Sequence, residues 1–303
     1  MIFRRIDKVF CVTVRVVDAP LESPASHQGL LSVFQRRYLL KLLVQREISA
    51  RYQGTFLGLM WSYINPLTQL FVYWFVFGKV MGEENRVEKF PIHIFAGFVI
   101  THFFIETFAS GTRSIVRNKS LVQKMAVPRE MFPVSAMLVS LYHTGPQIVI
   151  LAIIALANGW TPDLGGMAAM VLGLALIMVL GTALALVFSV ANVYFRDFSS
   201  VVGILTNFVR FGVPMMFSYQ LIEQRFHSAV FLVNWEPVAI GVMLMQRAFW
   251  VGTTHNPEGT ILHGLPTHLL DRGAVCLAAA FVILIFAQLF FSRFERRIPD
   301  TLR

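Results

Sequence analysis

The chain has 303 residues, of which 56% are hydrophobic and 14% charged, and its formal net charge is +9. A composition this apolar argues against most soluble enzymes. Its excess of cations is explained by loops that face anionic lipid headgroups, so nucleic-acid binding is not needed to account for it. Cys11 lies in the N-terminal tail and Cys276 in an apolar segment, so the sequence predicts no disulfide.

Residues 1–29 are predicted to be a variable cytoplasmic tail, since Pro20 and Pro24 interrupt the only strand-like stretch. Within this tail, Phe10–Val17 is short and is broken by Arg15, so no cleavable signal peptide is expected.

Residues 30–56 are predicted to hold a cytoplasmic interfacial helix, because Leu30–Ser49 contains neither glycine nor proline. Two apolar stripes with Arg36, Arg37 and Lys41 between them are typical of a helix that lies in the membrane interface and also contacts protein. The alternative is that this helix only anchors the first membrane span.

Residues 57–303 are predicted to form a six-span transmembrane domain. A helix of about 20 residues covers the roughly 30 Å hydrocarbon core of a bilayer, and six apolar segments reach that length. They are Leu57–Val80, Ile92–Thr112, Met131–Ala157, Met167–Phe195, Ser199–Gln220 and Gly273–Ser292.

The distribution of lysine and arginine predicts the orientation of these spans. Basic residues are abundant before the first span, between the second and third spans, and after the sixth. The Asn158–Gly166 loop has none, and Leu221–Asp271 has only two. Because cytoplasmic loops carry the excess of Lys and Arg, both termini, the Arg113–Glu130 loop and the Arg196–Asp197 turn are predicted to lie inside.

Two loops have patterns of their own. In the inner loop, Ser114–Met125 is compatible with a short basic helix, interpreted either as a solvated loop or as a docking element for a cytoplasmic partner. In the outer loop, Val238–Val251 is too short to cross a membrane and too apolar for a free loop. It is predicted to form short re-entrant or interfacial helices shielded by protein. The expected fold is therefore an all-α integral membrane protein.

Ionisable residues are rare within the predicted spans. Glu106 in span two and Arg210 in span five lie at compatible depths, so we hypothesise that they pair, with His102 one turn from Glu106. A purely structural ion pair is the favoured interpretation, and a role in a polar path is the alternative.

Small residues and helix breakers mark the later spans. Gly181, Ala185 and Ser189 recur every fourth residue in span four and predict a close approach to another helix. Gly212 and Pro214 predict a kink in span five, which suits a helix that lines a pore.

Most of the 28 phenylalanines, seven tyrosines and five tryptophans are expected to face lipid or the interface. The sharper interpretation is that some aromatic faces line a conduit and pack against the C–H faces of sugar rings. The candidate path residues are Trp61, Tyr63, Tyr73, Trp74, His102, Glu106, Arg210 and Phe211.

Motifs for catalysis are missing from the sequence. It has no glycine-rich phosphate loop, no His/Cys spacing of a metal site and no nucleophile elbow. It therefore predicts no catalytic residue, no metal and no cofactor bound by this chain.

A run of motifs within Gln45–Gly82 resembles the start of the membrane subunit of ABC exporters for polysaccharides such as O-antigen, capsule and teichoic acid. The loop Asn118–Pro133 and the Asn234-x-x-Pro237 turn are also similar to that family. The matching residues of the first segment are Arg51, Tyr52, Leu57, Gly58, Trp61, Asn65, Pro66, Phe77 and Gly78.

The resemblance implies a homodimer with six spans per subunit, joined to two copies of an ABC ATPase that holds ATP-Mg. It implies a location in the bacterial inner membrane, contact with membrane lipids, and a lipid-linked glycan as substrate. Spans one and five would line the path, and the inner loop and interfacial helix would transmit movement from the ATPase. The implied coupling residues are Arg36, Arg37, Lys41, Arg117, Asn118, Lys119, Leu121 and Lys124.

Three alternatives stay open at this point. An exporter of small amphiphiles or drugs would share the fold, and a membrane-embedded glycosyl or acyl transferase would turn over a donor by itself. An ion-coupled secondary transporter would be expected to show more charges at the membrane midplane or discontinuous repeat helices.

Overall fold

A computed structural model describes residues 29–124, 127–225 and 227–295. The predicted tail before residue 29 and the terminal arginines after residue 295 lie outside the described residues. Within the described ranges the chain forms thirteen α-helices and no β-strand, as expected for an all-α protein.

The α-helices, in chain order, are α1 Leu30–Gln35, α2 Arg37–Tyr52, α3 Trp61–Tyr73, α4 Phe90–Arg117, α5 Lys119–Lys124, α6 Met131–Ala157, α7 Leu164–Tyr194, α8 Phe198–Gly212, α9 Tyr219–Arg225, α10 His227–Trp235, α11 Pro237–Phe249, α12 Pro257–Gly264 and α13 Leu269–Phe294. A π-helix at Trp74–Val80 continues α3, and short 3₁₀ turns lie at Gly58–Met60, Glu83–Asn85 and Val251–Thr253.

Four of these helices are long and apolar enough to cross a membrane. They are α4, α6, α7 and α13, with 28, 27, 31 and 26 residues. Each exceeds the roughly 20 residues needed to span the hydrocarbon core. They coincide with the second, third, fourth and sixth predicted spans, so the chain is a multi-pass membrane protein.

The first predicted span begins later than expected. Gly58 has φ +49°, in the left-handed region that favours glycine, and lies in the 3₁₀ turn before α3. The helix itself starts at Trp61, with 13 residues of α-helix followed by seven of π-helix. Segments of π-helix are rare, and they occur frequently at functional sites.

The fifth predicted span is interrupted rather than kinked. The helix α8 stops at Gly212 after 15 residues, and a non-helical segment separates it from α9. The carbonyl of Pro214 in that segment accepts a hydrogen bond from Nε2 of the buried Gln246 at 2.9 Å. A buried donor is needed there, because an unpaired carbonyl away from water is costly.

The core of the molecule is built around α4, α7 and α11. A Cβ on Gly181 would lie 2.9 Å from Cγ2 of Thr107, and one on Gly111 would overlap Cβ of Ala185. The close approach expected from Gly181 and Ala185 is therefore present, between α7 and α4. The buried amide of Asn192 adds a 3.3 Å hydrogen bond to the carbonyl of Thr112 across the same contact.

The apolar patch of the long loop is buried by protein, as expected. It forms α11, in which 11 of 13 residues are buried. Glu236 caps the amide of Ala239, and Pro237 occupies the first turn, where its missing N–H costs nothing. The Tyr219 hydroxyl donates to Oδ1 of Asn234 at 3.0 Å, which ties α9 to α10.

The predicted interfacial helix is broken once. Its backbone leaves the helical region at Arg36, which separates α1 from α2, and α2 continues to Tyr52. One apolar stripe is exposed, since Leu31, Phe34 and Tyr38 are at least 70% exposed and Leu42 is 45% exposed. The second stripe contacts protein, since Leu40 and Leu43 pack against the cluster around Met131.

The inner loop is shorter than expected. Residues 114–117 belong to α4, and the separate helix α5 begins at Lys119. The first turn of the predicted Ser114–Met125 helix is therefore helical but belongs to α4, because the apolar face of α4 continues through the buried Ile115. A turn at Asn118 separates it from α5. Met125 lies outside the described residues.

Candidate functional site

Five of the seven motif residues between positions 51 and 66 line a small polar cavity. This cavity, named here the motif pocket, has a volume of about 110 Å³ and lies where the end of α2 and the start of α3 meet α4 and α6. Its lining residues are Arg51, Tyr52, Trp61, Ser62, Asn65, Pro66, Gln69, Phe98, His102, His143 and Gln147.

Hydrogen bonds across the motif pocket join three helices. The Tyr52 hydroxyl contacts Oγ of Ser62 and lies 2.9 Å from Nδ1 of His143. These contacts hold the end of α2 against α3 and α6. Buried polar groups in contact with one another avoid the desolvation penalty that either would suffer alone.

A second polar contact closes the other side of the pocket. Nε2 of Gln147 lies 3.1 Å from Nδ1 of His102, and the His102 ring stacks on Phe98 with ring centroids 5.4 Å apart. His102 is therefore fixed by α6 and by its own helix, rather than being exposed in an open channel.

The ion pair expected between Glu106 and Arg210 is wrong. Oε1 of Glu106 lies 2.7 Å from Nη1 of Arg51 at the end of α2. Depth along a span predicted the wrong partner, because depth does not report which face of α4 the carboxylate occupies. Arg210 lies instead beside Tyr73 and His102 at a void of about 10 Å³, with its buried Nε unpaired among the described residues.

The remaining candidate path residues lie outside these cavities. Tyr63 and Phe211 are exposed, and Trp74 lies beneath Nζ of Lys79 at 5.5 Å from the ring centroid. Of the eight candidates, the structure gathers Trp61 and His102 in the motif pocket, and Tyr73, His102 and Arg210 at the small void.

A larger basic cavity lies below the motif pocket, along the last three turns of α4. This cavity, named here the arginine cavity, has a volume of about 540 Å³. It is bounded by α2, α4 and α6. Its lining residues are Arg46, Glu47, Ala50, Arg51, Glu106, Ser110, Arg113, Arg117, Asn118, Ala136 and Val139.

Two of the implied coupling residues connect α2 to the end of α4 at this cavity. Nη2 of Arg117 lies 2.5 Å from Oε2 of Glu47. The amide of the buried Asn118 donates to Oε1 of Glu47 at 3.0 Å, and Arg46 donates to Oδ1 of Asn118 at 3.3 Å. Since Asn118 directly precedes α5, the interfacial helix and the inner loop are held together by charge-assisted hydrogen bonds.

The other implied coupling residues are dispersed. Leu121 packs against the cluster around Ile115 and Phe132, and Lys124 is exposed on α5, which Lys119 begins. Arg36 lies at the break between α1 and α2. Arg37 and Lys41 line a separate apolar groove of about 470 Å³ between α2 and α6.

Sequence reasoning missed three residues that the cavities use. Glu47 was not identified because most charged residues of its helix are basic. Its contacts with Arg117 and Asn118 nevertheless hold the loop in place. His143 and Gln147 are polar, four residues apart, and lie in an otherwise apolar segment. That spacing places them on one helix face and was the signal that could have found them.

At the opposite end of α4, an ion pair joins α7 to α11. The Arg247 guanidinium donates to both carboxylate oxygens of Asp163, at 3.0 and 2.6 Å. Asp163 also caps α7 by accepting from the amide of Gly166. The hydrogen bonds from Arg247 lower the pKa of Asp163 below its ordinary value of 3.8.

Long apolar helices that enclose polar cavities define the class of the protein as a polytopic membrane protein, in which the buried polar groups are candidate functional residues. A family model described as ABC-2 type transporter matches residues 38–250. The chain therefore belongs to the ABC-2 type transporter family and is an ABC transporter permease. This family implies an ABC ATPase partner.

Three similar proteins share one name. The O-antigen export system permease protein RfbA of Myxococcus xanthus is 27% identical over 265 residues, which is 87% of this chain and 95% of that protein. Two proteins of that name from Klebsiella pneumoniae are 23% and 21% identical over 228 residues, which is 74% of this chain and 85% of each relative. Both cavities and α5 lie within the region matched by the family.

Proposed function

We propose that this chain is the membrane subunit of an ATP-driven exporter that moves a lipid-linked polysaccharide across the bacterial cytoplasmic membrane. The glycan would be an O-antigen, a teichoic acid or a similar cell-envelope polymer. The observation that carries the proposal is the similarity to O-antigen export permeases over most of the chain. Five of the nine motif residues that indicated this class also line one polar pocket.

The functional assembly in this proposal is a homodimer of the chain with two ATPase subunits that bind ATP-Mg. The helical run Trp61–Val80 and the α8 segment supply the first and fifth spans and line the path. Few of their residues are buried within one copy: Pro66 and Gly78 in the first, and Val202 and Thr206 in α8. Such faces are available to a second copy, to lipid and to substrate.

The chain transmits movement in this proposal and does not hydrolyse ATP. Closure of the ATPase dimer displaces α5, and the Glu47 contacts carry that displacement from Asn118 to α2. Coupling requires that nucleotide and substrate favour different states of the same assembly. The connection through Asn118 is short, which suits a rigid transfer between the inner loop and the interfacial helix.

The first experiment is copurification of the full chain with its candidate ATPase subunit, followed by measurement of ATP hydrolysis. We expect a stable complex in which Lys124→Glu, on exposed α5, reduces hydrolysis or assembly. The matched control is Arg225→Glu, an equally exposed cation in the predicted outer loop, which leaves both unchanged. Turnover of a sugar or acyl donor by the chain alone would contradict the proposal.

Topology is tested independently by labelling single cysteines in intact cells. A cysteine at Lys124 is expected to react only after the membrane is permeabilised, and one at Glu258 in α12 before it. The reverse result would overturn the orientation and with it the assignment of α5 to the ATPase side.

A further inference from the structure

We propose that the arginine cavity binds the phosphate or diphosphate group through which the exported glycan is joined to its lipid. This inference rests on the proposed function, since it names the part of the substrate that one particular cavity holds. It depends on the charge, the size and the position of the cavity.

The charge of the arginine cavity is unbalanced. Four arginines and two glutamates line it, which leaves an excess of two positive charges. Glu106 neutralises Arg51 and Glu47 neutralises Arg117. Among the described residues, Arg46 and Arg113 have no carboxylate within ion-pair distance. A diphosphate that joins a glycan to a lipid carries about two negative charges at neutral pH and would balance this excess, whereas a single phosphate in the same diester position carries about one and would balance half of it.

The chemistry of the lining selects phosphate over other ligands. Guanidinium groups present planar pairs of N–H donors that match phosphate oxygens, whereas a neutral sugar would leave Arg46 and Arg113 without a counter-charge. The hydroxyl of Ser110 provides a further polar group beside Glu106. Two guanidiniums already held in place by carboxylates are preorganised, so less side-chain entropy is lost on binding.

The dimensions and location of the cavity suit the headgroup of an amphiphile. From Glu106 to Arg117 it follows α4 for about 16 Å, at a rise of 1.5 Å per residue. Its wall on α6 is apolar, formed by Ala136 and Val139. An apolar groove of about 470 Å³ lies between the same helices, α2 and α6, and includes Leu40 and Leu141. Space for a lipid chain so near favours a lipid phosphate over free phosphate.

Binding of an anion in the cavity would change the contacts that hold the inner loop. Arg117 pairs with Glu47, and Asn118 links the same carboxylate to the residue before α5. An anion in the cavity competes with Glu47 for these donors and changes how α2 is held against α4. The same contacts therefore connect recognition of the lipid phosphate to the part of the chain that is proposed to meet the ATPase.

The test measures binding of radiolabelled geranylgeranyl diphosphate to the purified full chain in complex with its ATPase. We expect Arg46→Gln and Arg113→Gln each to weaken binding about tenfold, the effect of losing one charge-assisted hydrogen bond. Glu47→Gln is expected to tighten binding, because it removes a competing carboxylate. A folding defect does not produce effects of opposite sign in neighbouring residues. Arg196→Gln, an exposed cation on the α7–α8 turn, is the matched control and is expected to change nothing.

Competition identifies the source of the phosphate. Unlabelled geranylgeraniol, inorganic pyrophosphate and phosphatidylglycerol vesicles are each expected to displace the probe poorly. Displacement by pyrophosphate at the same concentration as the probe would overturn the assignment to a lipid-linked group. Equal displacement by phosphatidylglycerol would identify an ordinary headgroup site and also overturn it.

The outcomes separate this inference from the proposed function. If the vesicles export the glycan and both arginine variants bind the probe as tightly as the wild type does, the cavity assignment alone is overturned. Variant-sensitive binding in a complex that moves no glycan would support the cavity and overturn the proposed function.

Discussion

The α4–α7–α11 half of the molecule and the α2–α3–α8 half bury their residues to very different extents. In α4, 19 of 28 residues are buried, and in α11, 11 of 13. By contrast α2 buries none, α3 only Pro66, and α8 only Val202 and Thr206. The first half is a scaffold with close helix contacts. The second half leaves most of its residues unburied, and both polar cavities lie where the two halves meet.

The largest effect that tests the contrast in burial is expected from replacing one glycine in each half by leucine. Gly111→Leu forces a side chain into Ala185 at the α4–α7 contact and is expected to destabilise the fold by more than about 3 kcal/mol. Gly203→Leu, on the exposed face of α8 with open space around its Cβ position, is expected to cost less than about 0.5 kcal/mol. Thermal unfolding of the purified variants measures both, and equal losses would contradict the division.

The ion pair between the halves is tested by a double-mutant cycle. Arg51→Gln and Glu106→Gln are each expected to reduce ATP hydrolysis by the complex, because either change separates α2 from α4 at the edge of the arginine cavity. In thermal unfolding, the pair is expected to show a coupling energy of about 1 kcal/mol, discounted for the half-exposed guanidinium.

The matching cycle of Glu106→Gln with Arg210→Gln is the control, and its effects are expected to add. A coupling energy in that cycle as large as in the Arg51 cycle would show that Glu106 pairs with Arg210 in the working protein, against the structure.

The motif pocket is tested by removing one hydroxyl. Tyr52→Phe loses the contacts with Ser62 and His143 and is expected to lower stability by about 1 kcal/mol. It is also expected to reduce transport several-fold, because the end of α2 is no longer held against α3 and α6. Tyr142→Phe, the half-exposed neighbour of His143, is the control. Equal stability and equal transport rates in the two variants would show that the motif pocket has no role in transport.

The smallest expected effect concerns pH at the far end of the scaffold. Since Arg247 lowers the pKa of Asp163, the ionised carboxylate stabilises the fold at neutral pH. This stabilisation is lost only as pH falls below about 3.8, through the lowered pKa. Asp163→Asn is therefore expected to lower the melting temperature slightly at about pH 6, and this difference is expected to shrink as the pH falls below 3.8. A difference that stays constant across this range would contradict the assignment.

Hydropathy was sufficient to locate the four long helices, because a bilayer imposes a minimum length of apolar helix. The spacing of Gly181 and Ala185 was also sufficient to predict close packing, since only small side chains allow it. The end of α8 at Gly212 was not predictable, because the Gly–Val–Pro sequence that begins at this residue permits either a kink or a break. The outcome depended on whether a distant donor, Gln246, reached the carbonyl of Pro214.

The site was only partly predictable for a related reason. The pocket residues Arg51, Tyr52, Trp61 and Pro66 were found through their resemblance to a family, not through periodicity. The partner of Glu106 depended on which face of α4 meets α2, and no local pattern reports how two separate helices are rotated against each other. Arg210 illustrates the same limit, since its buried Nε has no partner within the part of the chain that the structure describes, although sequence depth had matched it with Glu106.

The central claim is tested most directly in inside-out proteoliposomes that contain this chain and its ATPase, supplied with a radiolabelled lipid-linked O-antigen. We predict that ATP addition transfers the glycan to the vesicle lumen, where it is protected from an added glycosidase, and that vesicles lacking either subunit show no protection. Failure of ATP to protect the glycan in vesicles whose ATPase is active, or equal protection without ATP, would contradict the account.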